Sequence, residues 1–239
     1  MGSEKAKRIQ TSLLNAAEKK LLISIAKRMP REISSDMLTC VGVIGAVLTA
    51  LGFILSNYSP YWLWLAVVGL IVNWYGDSLD GSVARVRHTQ RPVYGFFLDH
   101  SVDVINELFF FVGAGLSPFI NLPTALFALS GYLALTVYTN ILTIVKDEFR
   151  LTYLGLGPTE FRLLACLVCI VFMYVPEIST HTWEFTILHE TYIFGWFDFF
   201  ALAASVILWF CYVLSFFRDA KRIGEQDPLP EVPETDETH

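Results

Sequence analysis

The chain has 239 residues, 54% of them hydrophobic and 15% aromatic, with a mean hydropathy of +0.50. Soluble domains of this size are rarely so apolar, so the composition argues against an ordinary soluble enzyme and for a polytopic membrane protein. The formal net charge of −6 hides a strong asymmetry in where the 17 Lys and Arg fall.

Residues Lys5–Met29 read as an amphipathic helix. Ile9, Leu13, Leu14, Ala17, Leu21, Ile25 and Met29 form an apolar stripe, and Lys19, Lys20, Lys27 and Arg28 lie elsewhere. A basic helix of this kind lies in the headgroup plane of a membrane or packs as a surface helix on its own protein. Pro30 ends it. "SSDMLT" (Ser34–Thr39) then supplies helix-start residues.

Six apolar runs follow: Met37–Ser56, Tyr61–Tyr75 and onward, Phe96–Phe119, Thr124–Val145, Glu160–Val175 and Tyr192–Phe217. At about 20 residues per crossing they predict an all-α polytopic protein of six transmembrane helices, with no room for a second folded domain. Domain boundaries are expected at 1–30 for the interfacial helix, 31–222 for the six-helix domain and 223–239 for the tail. That tail carries Pro228, Pro230 and Pro233 among acidic residues and no Lys or Arg, so it is expected to be disordered.

If the six runs cross, every Lys and Arg falls on one side. They occupy Lys5–Arg31, then Arg85, Arg87 and Arg91, then Lys146, Arg150 and Arg162, then Arg218, Lys221 and Arg222. The loops Asn57–Pro60, Ile120–Pro123 and Pro176–Thr191 have none. The positive-inside rule then puts both termini on the cytoplasmic side. The N-terminus is polar and shows no cleavable signal peptide. Cys40, Cys166, Cys169 and Cys211 all fall in apolar runs. The C-x-x-C of Cys166 and Cys169 reads as buried small hydrophobes rather than a metal or redox site.

The second run, Tyr61–Tyr75, is 15 residues long. As a helix it covers about 22 Å, against a hydrocarbon core of about 30 Å. The helix is therefore expected to continue through Asp77, Asp80 and Gly81. The third is expected to start at Gly95 or Phe96, which sets Asp99 and Asp103 in its first turns. Asp77, Asp80, Gly81 and Ala84 share one helix face by spacing, and so do Gly95, Asp99, Asp103 and Glu107. Carboxylates converging near lipid need cations to stay ionised. Their oxygens favour Mg²⁺, Mn²⁺ or Ca²⁺, and two such ions would make a phosphoryl-transfer clamp. Gly81, Ala84 and Gly95 leave space for a ligand, and Arg85 is available to a phosphate or a carboxylate.

These residues resemble the CDP-alcohol phosphotransferase family. The match is Asp77-x-x-Asp80-Gly81-x-x-Ala84-Arg85, then Val86–Tyr94, then Gly95-x-x-x-Asp99-x-x-x-Asp103. The connecting loop is one residue longer than the usual eight. The six-span layout and the N-terminal helix extend the likeness over most of the chain before the tail.

The resemblance implies transfer of a substituted phosphate from a CDP-linked donor to an alcohol, with release of CMP. It implies two divalent ions, Mg²⁺ or Mn²⁺, on Asp77, Asp80, Asp99 and Asp103, with Asp103 also the base for the acceptor hydroxyl. Gly81, Ala84, Arg85 and Gly95 then line the nucleotide site, joined by Asp36 and Thr39, since Asp36-Met37-Leu38-Thr39 fits the family's N/D-x-x-T near the cytidine.

"FLDHSVD" and "GPTEFR" (Gly157–Arg162) give a partial likeness to the choline and ethanolamine phosphotransferase branch, with His100 as an assisting base. Phe96 stands where that branch has Glu, and Val104 stands where inositol-type members commonly have Arg. His100 is alternatively a helix-start residue bonded locally. Arg162 either pairs with Glu160 or loop backbone or meets a substrate phosphate. Glu107 is expected to support Asp103, and Asn73 and Asn140 to bond between helices. His181 and His189 read as plain loop residues.

The expected partners are a CDP-aminoalcohol or CDP-diacylglycerol donor, a lipid or small polar acceptor, membrane lipids, a second copy of the chain in a homodimer, and no nucleic acid. The expected location is a bacterial inner membrane or its equivalent, with the site on the cytoplasmic side. A cation transporter would also explain intramembrane carboxylates, but not Gly81, Ala84, Arg85 and Gly95 at these spacings. A catalytically silent scaffold of the same fold would not need the intact motif.

Overall fold

The computed structural model describes residues 7–9, 15–146, 148–150, 158–187 and 189–228. In chain order its elements are β1 (Lys7–Ile9), α1 (Asn15–Arg28), α2 (Ser35–Leu55), a 3₁₀ turn (Pro60–Trp62), α3 (Leu63–Val86), α4 (Pro92–Gly115), α5 (Leu122–Lys146), β2 (Glu148–Arg150), α6 (Pro158–Tyr174), α7 (Pro176–Thr180), β3 (Thr182–Ile187), β4 (Glu190–Gly195) and α8 (Trp196–Gln226). By length and composition, α2, residues Leu122–Val145 of α5, and α8 are apolar enough to cross a membrane.

The helices fall where the apolar runs place them, with three corrections. First, the N-terminal helix starts at Asn15 rather than Lys5, and Lys7–Ile9 is instead a strand parallel to Glu148–Arg150. The rest of the expected stripe's start, including Leu13 and Leu14, lies outside the described residues. Second, the chain is not purely helical. Thr182–Ile187 and Glu190–Gly195 pair as an antiparallel hairpin, and "TWEFTI" and "ETYIFG" are rich in the β-branched and aromatic residues that suit a pleated surface. The sixth apolar run thus begins on a strand, and α8 starts only at Trp196. Third, α8 runs on through Gln226, so residues 223–226 of the expected tail are helical, and 229–239 lie outside the described residues.

The start of α8 is fixed by one buried carboxylate. Asp198 is 2% exposed and accepts the backbone N–H groups of Gly195 and Asn121, both at 2.9 Å. Asn121 also donates its side-chain amide to the Ile193 carbonyl at 2.6 Å. This binds the hairpin, the entry to α5 and the entry to α8. His189, at φ 70, forms the hairpin's turn.

The α2–α3 pair is the most closely packed part of the molecule. A Cβ built on Gly45 would lie 2.2 Å from the Asn73 nitrogen, and one on Gly76 would lie 2.3 Å from the Gly42 nitrogen. Only glycine permits so close an approach of the two backbones. Asn73, at the crossing, donates to the Gly42 carbonyl at 2.9 Å, an interhelical bond of the expected kind. Ser34 starts α2 by accepting from the Met37 N–H at 3.1 Å.

Helix α1 packs on this pair. Leu22 and Ala26 are buried with Leu38, Leu79 and Val83, and Ile25 and Met29 lean on the same cluster, while Leu21 is exposed. Its inward face is therefore turned away from the expected stripe at Leu21. Glu18 accepts from Trp74 Nε1 at 2.8 Å and from the Thr159 hydroxyl at 2.7 Å, joining α1 to both α3 and α6. Arg87 donates to the carbonyls of Ile33, Met29 and Pro30 and so closes the link between α1 and α2. Cys169 lies buried among Leu63, Phe172 and Met173 as an apolar filler.

Candidate functional site

The site is built on the cleft between α3, α4 and the start of α2. Helix α3 continues past Tyr75 to Val86, as expected from its short apolar run, and carries Asp77 and Asp80 within its regular part. It ends in a turn in which His88, at φ 55, lets the Thr89 N–H reach back to the Ala84 carbonyl at 3.0 Å. That 6→1 bond satisfies one of the open carbonyls at the helix end. Helix α4 starts at Pro92, a residue suited to a first helical turn, and so places Asp99 and Asp103 in its first half, as read from sequence.

Three of the four motif carboxylates converge. Asp77, Asp99 and Asp103 each place an oxygen within 4.8 Å of the other two. Asp77 also accepts from Arg162 Nη2 at 2.7 Å, a charge-assisted bond that brings α6 onto the cluster. The two side chains are 22% and 16% exposed, so solvent screens this pair little. Arg162 thus has a partner that the sequence reading did not name. Asp103 lies within electrostatic reach of Asp77, Asp99, Glu107 and Arg162.

Asp80 is not one of the three. Its carboxylate accepts from the Thr39 hydroxyl at 2.8 Å and from the Gly81 N–H. Its backbone carbonyl accepts from the Ser35 hydroxyl at 2.8 Å. Two residues of the first turn of α2 thereby hold one turn of α3. Thr39 lies at the site as expected, and Asp36 meets the start of α4 instead. There it accepts from the Tyr94 hydroxyl at 3.4 Å and lies 3.9 Å from Arg91, which stacks 3.5 Å from the Tyr94 ring centre.

Of the residues expected to line a nucleotide, Gly95 faces open space and Gly81 faces the end of a flexible side chain. A Cβ on Gly95 would meet nothing within 4 Å, and one on Gly81 would come only to 3.3 Å from Arg85 Nη1. Arg85 is exposed and donates to Ser82 Oγ at 3.0 Å, and Ala84 is half-buried on the same turn. His100 has the local role that was one of its two readings. Its Nδ1 bonds the Phe96 carbonyl at 2.9 Å, and its ring lies against Phe96 and 3.8 Å from Asp99. His181, far along the chain in the α7–β3 link, packs edge-on against Trp183.

A narrow cleft lies beside two of the carboxylates, lined by Thr39, Gly42, Asp77, Asp99, Val102 and Asn106. Asn106 was missed in the sequence. The signal was present, since Val102 and Asn106 follow Asp99 at i+3 and i+7 on one helix face.

The donor set suits a hard divalent cation, because it consists of carboxylate oxygens alone. An octahedral Mg²⁺ with bonds of about 2.1 Å keeps its ligand oxygens within roughly 4.2 Å of one another. The three carboxylates place their oxygens within 4.8 Å of one another, close to that value.

A family model described as CDP-alcohol phosphatidyltransferase matches residues 33–217, from the link before α2 into α8. The phosphatidylinositol phosphate synthase of Cutibacterium acnes (strain DSM 16379 / KPA171202) is 35% identical over 100 residues, covering 41% of this chain. The match spans 45% of that relative, less than half its length.

Proposed function

Because the chain belongs to the CDP-alcohol phosphatidyltransferase family, we propose that it transfers a substituted phosphate from a CDP-linked donor to an alcohol in a membrane, releasing CMP. The observation that carries this reading is the convergence of Asp77, Asp99 and Asp103 from two helices, with Asp77 and Asp99 on one cleft. Asp77, Asp99 and Asp103, with Asp80 beside them, would hold Mg²⁺ or Mn²⁺, which neutralises the donor's pyrophosphate and stabilises departing CMP. Asp103 takes the proton of the acceptor hydroxyl. Gly81 and Gly95 give the nucleotide room, and Arg85, on the exposed side, pairs with its phosphates. Thr39 holds Asp80 in place.

All six long helices cross the bilayer in this proposal. α3 and α4 carry their carboxylates to its cytoplasmic edge, and α1 lies at the same surface. The distribution of the 17 Lys and Arg supports that orientation. The unit is a homodimer, as the family resemblance implies.

The donor we favour is CDP-diacylglycerol, with a polar alcohol as acceptor. The relative's printed name is that of a synthase of a phosphatidyl product. A CDP-aminoalcohol donor with a lipid acceptor is the second reading, carried by "FLDH" and "GPTE". CMP release by the purified protein, assayed with Mg²⁺ or Mn²⁺ over a panel of CDP donors and alcohols, tests both. The lipid product identifies the pair, and no turnover with any donor would sink the reading.

A further inference from the structure

Two polar atoms of α4 are buried with no hydrogen-bond partner among the described residues: Asn106 Oδ1 and Glu107 Oε2. Asn106 is the one on the cleft, beside Asp77 and Asp99. A buried amide oxygen without a donor destabilises the fold that contains it. Such a group beside the chemistry points to a bound partner rather than to packing.

The chemistry of the atom narrows that partner. Oδ1 only accepts, so the partner must bring an N–H or O–H. The pyrophosphate oxygens of a CDP donor carry no proton to give at neutral pH, so they are excluded here. The reacting hydroxyl of an alcohol passes its proton to a carboxylate, so it too is poorly suited. In the transferase reading the cytidine, with its ribose hydroxyls and its amine, sits at Gly81 and Gly95. That leaves two O–H sources beside Asp77 and Asp99: a second, non-reacting hydroxyl of the acceptor, or a water carried by a cation on those two carboxylates.

We infer that Asn106 is a positioning residue of this cleft, its Oδ1 accepting an O–H from the group seated against Asp77 and Asp99. In the first source the acceptor is a polyhydroxy alcohol; that source rests on the transferase reading above.

The test uses the full chain in lipid nanodiscs, with Asn106→Leu to remove the acceptor atom and Asn106→Gln to retain an uncharged amide oxygen. Three quantities are measured: the melting point in EDTA, the Mn²⁺ binding constant from the metal-dependent melting shift, and the kinetics of CMP release. In EDTA, Asn106→Leu should melt at or above wild type, because an orphaned polar atom has been removed. It should raise either the KM for polyhydroxy alcohols or the Mn²⁺ constant by roughly three- to tenfold, with kcat less affected. The first outcome identifies the hydroxyl source and the second the metal-bound water. Asn106→Gln should recover part of the loss.

A lower EDTA melting point for Asn106→Leu makes the amide a structural bond and overturns the inference. Unchanged constants in that variant overturn it as well. If wild type releases no CMP from any donor, the transferase reading fails separately. The Mn²⁺ constant then decides the inference alone, and an unchanged value rejects it.

Discussion

Arg162 donates to Asp77 at 2.7 Å, across 85 positions of sequence. The bond fastens α6 to the carboxylate cluster and sets a cation beside three acids before any metal arrives. The guanidinium offsets part of the repulsion among Asp77, Asp99 and Asp103, as a divalent ion does.

Arg162→Gln should therefore destabilise the metal-free protein more than the metal-bound one. Removing one member of a buried ion pair costs roughly 3–5 kcal/mol, and the partial exposure of this pair places the expected loss at about 2–3 kcal/mol. Denaturation in EDTA and in saturating Mn²⁺ measures it. An equal loss in both conditions would show that Arg162 does not relieve the cluster's charge.

Asp103→Asn should reduce CMP release by about 10²- to 10⁴-fold, the range for loss of a general base. Cytidine nucleotide binding, followed by calorimetry, should largely survive. Retained turnover removes Asp103 from the role of base.

Thr39→Val removes the 2.8 Å bond to the Asp80 carboxylate. A hydrogen bond to a charged group contributes about 1.5–3 kcal/mol, so the variant should lose stability on that scale. Thr39→Ser keeps the hydroxyl and should restore it. If Thr39→Val melts like wild type, the α2–α3 contact at Asp80 is not held by this bond.

Glycine substitutions at two positions should separate packing from ligand space. Gly76→Ala puts a Cβ 2.3 Å from the Gly42 nitrogen and 2.5 Å from the Leu38 carbonyl oxygen. Backbone cannot yield as a side chain does, so a loss of about 1–3 kcal/mol or more is expected, together with activity, since Asp77 is its neighbour. Gly95→Ala meets nothing within 4 Å and should hold or slightly raise the melting point, since Ala favours a helix over Gly by about 1 kcal/mol, while raising the KM for the CDP donor. A change in stability with unaltered donor KM would take Gly95 out of the nucleotide site.

Sequence by itself determined much of this protein, because the relevant forces act locally. The 15-residue apolar run before Gly76 is short for a crossing, so the helix is expected to continue through Asp77 and Asp80, and α3 does so. The four-residue repeat from Gly95 to Glu107 puts Asp99 and Asp103 on one face wherever a helix forms. "SSDMLT" starts α2 through a bond between Ser34 and Met37, three positions apart. Where competing local preferences met, the reading failed. An aromatic-rich segment fits strand and helix alike, so only pairing with Thr182–Ile187 shows that Tyr192–Gly195 is a strand.

Only the tertiary structure decided which side chains meet. Helix period says that Asp80 and Asp77 share a face, but not that Thr39 holds one and Arg162 the other. Nor does it show the orphaned oxygen of Asn106 beside Asp99, or the inward turn of α1 on Leu22 and Ala26. Those outcomes depend on the packing of α2 on α3 at glycine distance and on α6 settling against both. Such contacts join residues tens of positions apart, and no local period encodes them.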